Sequence, residues 1–269
     1  MDEGGSPGAR PWLDHLVTVL GPVASCRALG GRVWHVAIGR RELVVKLGRG
    51  ALDEAEGLSR LSQLAGGPPV PAVVLAEPDL LVTTWIDQAA RTAGHEAALG
   101  EMLARQHTVP WSEWGGGSSW IGDCPVDPTP APDAASFYGA RLLGLAGRCG
   151  LDGPMATLVG HLDEAIPPGE PALVHGDLWW GNVLWGDDGR PWLIDPSAHG
   201  GHPEEDLAML SLFGPIPERT MRAYGEVRAL SPGWMERVEL FQLYPLLVHA
   251  LLFGGGYRTR VQSILQRFT

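Results

Sequence analysis

Apolar residues recur along this chain at two spacings, and the change between them divides it in two. Residues 1–10 are small and acidic, show no period, and are expected to be disordered. Pro11 opens a short amphipathic pattern that predicts a helix over 11–20. Within residues 26–38 the pair Gly30-Gly31 enters an alternating apolar run, so that the glycines stand at the start of a first strand. A turn at 39–42 and a partner strand at 43–47 follow. Apolar positions 52, 55, 58, 61 and 64 predict one face of a helix, which the Gly- and Pro-rich stretch 66–71 breaks. Two more strands fall near 72–76 and 80–85, around a turn at 77–79. From Arg91 to His107 the period becomes helical, with apolar positions 98, 99, 102 and 103. Helices are expected again at 133–149, 151–165, 217–230, 233–253 and 258–268. The fold expectation is therefore α+β in two lobes. A small lobe (11–86) carries an antiparallel sheet and one helix, and a mostly helical lobe (87–269) follows.

One stretch interrupts the helical half. A strand at 173–174 leads into His175-Gly-Asp177-Leu-Trp179-Trp180-Gly-Asn182, then a strand at 183–185, a turn at 186–189, and a strand ending Trp192-Leu-Ile-Asp195-Pro. His-x-Asp with Asn five residues after the Asp, and a second Asp closing the next apolar strand, is a phosphotransferase catalytic-loop pattern. The chemistry needs this set. One carboxylate, Asp177, orients an attacking hydroxyl and accepts its proton. Asn182 and Asp195 supply hard oxygen ligands for Mg2+ on the phosphates.

Composition sharpens that reading. Among 20 Lys and Arg residues only Lys46 is lysine, and Asn182 is the only asparagine in 269 residues. Each stands where a kinase needs it, and arginine cannot replace a compact ammonium inside a phosphate site. Lys46 lies on a presumptive buried strand, and Glu56 on the following helix is the expected partner holding it on nucleotide phosphates. Glu54 is the rival partner. Gly30 and Gly31 could close a flap over those phosphates. The backbone of Thr84, Trp85 and Ile86, at the lobe boundary, offers amide and carbonyl groups to an adenine edge.

The remaining features bound the partners. A net charge of −11 argues against nucleic acid. Three scattered cysteines without metal spacing fit a reduced, cytoplasmic protein. The apolar stretch 243–257 is interrupted by Pro245, His249 and glycines, too short to span a bilayer. His199 and His202 precede acidic residues, but the glycines between them leave any metal geometry unset. Asp206 is expected to brace a loop backbone. Residues 108–132 form a long aperiodic loop with Trp111, Trp114 and Trp120, which predicts a substrate wall. Trp179 and Trp180 beside Asp177 are candidates for the same role.

Together these residues resemble the fructosamine/ketosamine-3-kinase family, a branch of the aminoglycoside-phosphotransferase-like, protein-kinase-like fold. The likeness runs from about residue 12 to 268. It rests on Gly30-Gly31, Val45-Lys46, Glu54-Ala-Glu56-Gly-Leu58, the His175–Asn182 string, Ile194-Asp195-Pro196, Glu205-Asp206, His249 and Phe253-Gly. It implies ATP and Mg2+ as cofactors and a small sugar-amine, free or protein-bound, as acceptor. Two departures stand out. Arg32 and Trp34 follow the glycine pair where the family has smaller residues, and the loop at 122–133 lacks the amides the family carries. An aminoglycoside- or choline-type kinase and a non-catalytic nucleotide-binding pseudokinase are the alternatives.

Overall fold

The structure, a computed structural model, describes residues 10–268. The disorder expected for the first residues therefore lies, Arg10 excepted, outside the described residues. Helix α1 (Pro11–Leu20) carries its proline in the first turn and seats Leu16 in the core. Strands β1 (Val23–Gly30), β2 (Val33–Ile38) and β3 (Arg41–Leu47) meander antiparallel, followed by α2 (Ala51–Ser62), β4 (Val73–Glu77) and β5 (Leu80–Thr84). The five-stranded order is β1-β2-β3-β5-β4. α1 covers one face, where Leu16, Val36, Leu43, Val45 and Val82 form a dry cluster.

Segment 85–92 then leads into α3 (Ala93–Thr108). Thr92 caps this helix: its hydroxyl accepts the His95 N–H while the His95 ring accepts the Thr92 N–H. A small hairpin, β6 (Trp120–Ile121) with β7 (Cys124–Pro125), sits inside the long loop. Next come α4 (Ala134–Cys149), α5 (Asp152–Val159), α6 (Leu162–Ala165), and four three-residue strands: β8 (Ala172–Val174), β9 (Val183–Trp185), β10 (Pro191–Leu193) and β11 (His199–Gly201). α7 (Pro203–Leu210), α8 (Glu218–Val227), α9 (Trp234–Phe253) and α10 (Gly256–Phe268) finish the chain. One cluster packs α4, α9 and α10 around Phe137, Tyr138, Leu142 and Phe241. Another joins the lobes beneath the cleft, where Leu58, Leu61 and Leu81 meet Leu103, Leu173, Leu193 and Leu207.

Four expectations are corrected. The glycine pair does not start the first strand: Val23–Gly30 before it forms a strand of its own, β1, and Gly30 and Gly31, both at positive φ, turn the chain into β2. The stretch 151–165 is two helices broken at Gly160–His161. Strand β11 was missed; it pairs with β8, and glycine-rich segments carry no alternation to read. On α2 the buried residues are Ala51, Gly57, Leu58 and Leu61, while Leu52 is 48% exposed. A strict three-residue spacing drifts around a helix of 3.6 residues per turn, so positions 52 to 64 cannot share one face.

Candidate active site

Lys46 sits on β3, opposite Val33 of β2 and Leu81 of β5. Its ammonium lies 2.6 Å from Glu54 Oε2 and 3.2 Å from Asp195 Oδ1. Burial works against its charge, but the carboxylates of Glu54 and then Asp195 outweigh that and hold its pKa above the ordinary lysine value. Glu54 reaches it because it shares the buried face of α2, three residues after Ala51 and four before Leu58. The expected partner Glu56 is corrected: it points to solvent and pairs with Arg60 at 2.5 Å. The drift that misplaced the apolar face of α2 also misplaced its carboxylate.

The loop after β8 is held from behind. Asp206 on α7, fully buried, accepts the backbone N–H groups of His175 (2.7 Å) and Gly176 (2.9 Å) and bonds the His107 ring at 3.1 Å. Burial pushes the Asp206 carboxyl up, but these donors outweigh it and keep it below the usual carboxylate value. The expectation of a bracing carboxylate describes this residue. Gly176 has φ +79° and lies so close to the Ser197 carbonyl that an added Cβ would come within 2.2 Å. The His175 ring donates to the Ile194 carbonyl (3.0 Å), tying the loop to the segment that ends in Asp195.

The reactive groups face one another across this frame. The Asn182 amide donates to the Asp177 carbonyl (2.8 Å) and contacts Asp177 Oδ2 (3.3 Å), which leaves its own carbonyl oxygen turned from these bonds. Asp195 is the only non-glycine residue with positive φ among the described residues (+54°), a conformation aspartate tolerates better than most. Burial first, and the charge of Asp195 second, push the Asp177 carboxyl up to about 7.

Two cavities meet at Lys46, Glu54 and Asp195. One, about 400 Å³, lies under the sheet between Gly30, Val44 and Pro71 above and Leu184 and Ile194 below. Thr84, Trp85 and Ile86 line its rear. The Trp85 N–H donates to the Glu42 carbonyl, whereas no group among the described residues engages the Ile86 N–H. The second, about 330 Å³, contains Asp177, Asn182, Trp120, Trp179, His249 and Phe253 on its walls, with Arg32, Arg49 and Asp123 at its mouth.

The structure thus brings together Lys46, Asp177, Asn182, Asp195, Trp120 and Trp179, with Gly30 and residues 84–86 around the first cavity. Gly31 lines neither cavity. Trp180 is corrected: it turns away from Asp177 and stacks with Trp185 around the Arg91 guanidinium, 4.8 Å from its ring. Trp114 is buried core, and Trp111 packs under Arg60, so only the third tryptophan of the long loop reaches the cavity. His199 and His202 serve structure. His199 bonds Ser197 and the Arg141–Glu205 pair, and His202 caps α7. Among the described residues no group of three or more His, Cys, Asp or Glu side chains could hold a metal alone. Ser197, Asp123 and Arg49 were not anticipated. They enter through contacts with residues dozens of positions away, which no local spacing encodes.

A five-stranded antiparallel lobe carrying a lysine–glutamate pair, above a helical lobe with an Asp–Asn–Asp loop, is the arrangement of kinase-like phosphotransferases. Sequence comparison is more specific. The fructosamine kinase family model matches residues 51–269, and the chain belongs to that family. A Thermobifida fusca structure described as a candidate fructosamine-3-kinase superposes with a TM-score of 0.86 at 35% identity, covering 97% of this chain and 99% of that one. A candidate ketoamine kinase from Klebsiella aerogenes is 31% identical over 266 residues, 88% of this chain and 89% of the relative. One from Synechocystis is 33% identical over 199 residues, 70% of this chain and 66% of that relative. Among the described residues no helix is long and apolar enough to cross a membrane.

Proposed function

We propose that this protein transfers the γ-phosphoryl group of ATP to a hydroxyl of a ketosamine, a ketose carried on an amine. The observation that supports it most is the meeting of Lys46, Asp177, Asn182 and Asp195 at the junction of two cavities. The cavity under the sheet suits an adenine base, apolar above and below, with the Ile86 N–H and the carbonyls of 84–86 along its edge. Lys46, fixed by Glu54, holds the phosphates where the cavities join. The Asn182 carbonyl and Asp195 are hard oxygen donors on one side of that junction, and two such groups suit Mg2+, which keeps phosphates and waters as its other ligands. When bound, that cation neutralises charge on the phosphates.

In this reading the acceptor lies in the second cavity with its sugar against Trp120 and Trp179. Asp177 orients the attacking hydroxyl and accepts its proton as the new O–P bond forms and ADP leaves. A carboxyl held near pH 7 is a competent base at neutral pH. The family carries the choice of a ketosamine, free or protein-bound.

The test is Mg2+-dependent ADP release with ATP and a panel of fructosamine and ribulosamine adducts, free ketoses, aminoglycosides and choline. A ketosamine should give the highest kcat/KM. An aminoglycoside or choline ranking first would replace the acceptor. Thermal stabilisation by Mg-ATP, about 2.7 kcal/mol at 100 times Kd, without turnover of any acceptor would instead mark a nucleotide-binding pseudokinase.

A further inference from the structure

The mouth of the second cavity is spanned by one ion pair. Arg32, in the turn between β1 and β2, places Nη2 2.7 Å from Asp123 Oδ1 and 2.9 Å from Oδ2, in the turn of the β6–β7 hairpin. The pair joins the small lobe to the large one, and both residues line the cavity that contains Asp177. Each side chain is more than half exposed, 57% for Arg32 and 63% for Asp123, so solvent screens the pair and it costs little to break. The Arg32 guanidinium also lies over Gly48, 3.4 Å from where a Cβ would stand, beside the strand that carries Lys46.

Most charges lining this cavity are already committed, while Arg49 lies over the Trp120 ring with no ionic partner among the described residues. Glu54 and Asp195 hold Lys46, and Asp177 is bonded by Asn182. Arg32 and Asp123 are the two opposite charges on its walls whose only ionic partner among the described residues is each other. A chain of net charge −11 has to gather a triphosphate with few local cations. A ketosamine, at neutral pH, brings an ammonium next to its sugar.

Resting on the reading of the site as a ketosamine kinase, we propose that the Arg32–Asp123 pair is exchanged during substrate binding. Arg32 turns to the terminal phosphates of ATP, and Asp123, released, takes the ammonium of the acceptor. Asp123 is then the residue that selects an amine-bearing sugar over a neutral one. Nucleotide binding strengthens acceptor binding, because Arg32 in turning to the phosphates frees Asp123. No covalent step is added; the exchange only redistributes ion pairs.

The test compares a fructosamine adduct with its N-acetylated, uncharged analogue in wild type, Asp123→Asn, Arg32→Ala and the charge swap Arg32→Asp/Asp123→Arg. Asp123→Asn should raise KM for the charged adduct roughly tenfold, leave the neutral analogue within twofold, and leave KM for ATP unchanged. Arg32→Ala should raise KM for ATP several-fold, keep the preference for the charged adduct, and abolish the strengthening of acceptor binding by nucleotide. The swap should not restore selection of the ammonium. Equal losses on charged and neutral acceptors in Asp123→Asn, or wild-type behaviour in the swap, would reduce the pair to a clamp between lobes and overturn the proposal. A wild-type protein that turns over neither adduct would instead overturn the reading of the site on which the proposal rests.

Discussion

Asp177 is held in an unfavourable state by its surroundings. Its carboxyl ionises near 7, whereas an unfolded aspartate ionises near 3.8. The folded protein therefore binds a proton between those values that the unfolded chain releases. The cost of the buried charge is absent below about pH 4, accrues as pH rises, and is fully present above about pH 7. Asp177→Asn removes it. The variant should be more stable than wild type by up to about 4 kcal/mol at pH 8 and lose that gain by about pH 4, measured as Tm across pH. It should bind ATP as before while losing roughly 10²–10⁴ in turnover. The same titration predicts that kcat/KM for ATP rises with pH through about 7. The limb in kcat at saturating Mg-ATP should fall lower, because a cation on Asp195 removes the second cause of the shift. The two helix glutamates separate as sharply. Glu54→Gln should raise KM for ATP about tenfold, and Glu56→Gln should change it less than twofold, since only Glu54 touches Lys46.

Elements explain what could be read in advance. Alternating apolar residues marked β2 to β5, and the His175–Asn182 string was legible because its residues adjoin in sequence and its strands flank it. α3 was legible from its helical apolar period over 91–107, without its cap. Where two faces of one element compete, sequence was blind. The glutamate on α2 depended on which side of the helix met the sheet, and the two adjacent indoles of the catalytic loop point in opposite directions. Trp179 faces the cavity and packs edge-on against Phe213, while the 3-10 turn Trp180–Asn182 swings its indole onto Arg91. Trp180→Ala should therefore leave the acceptor KM within twofold and lower stability by about 2–3 kcal/mol in denaturant titration, from lost burial and cation–π contact.

At the scale of the whole molecule, the second cavity draws its walls from residues 32 to 253, and their convergence depends on how the hairpin and α9 close over the cleft. That is why Asp123 and Ser197 went unseen while Lys46 did not. The shared cluster beneath the cleft, from Leu58 to Leu207, keeps the lobes in register around it. The single lysine has a consequence beyond its proposed role on phosphates. Unprotonated ε-amines attack the carbonyl of reducing sugars, and this chain offers one, held protonated between two carboxylates. Incubated with ribose, the protein should gain at most one side-chain adduct by mass spectrometry, at Lys46, and Mg-ATP should prevent it. A protein whose proposed substrates are sugars bound to amines would thus be almost bare of the groups on which those adducts form.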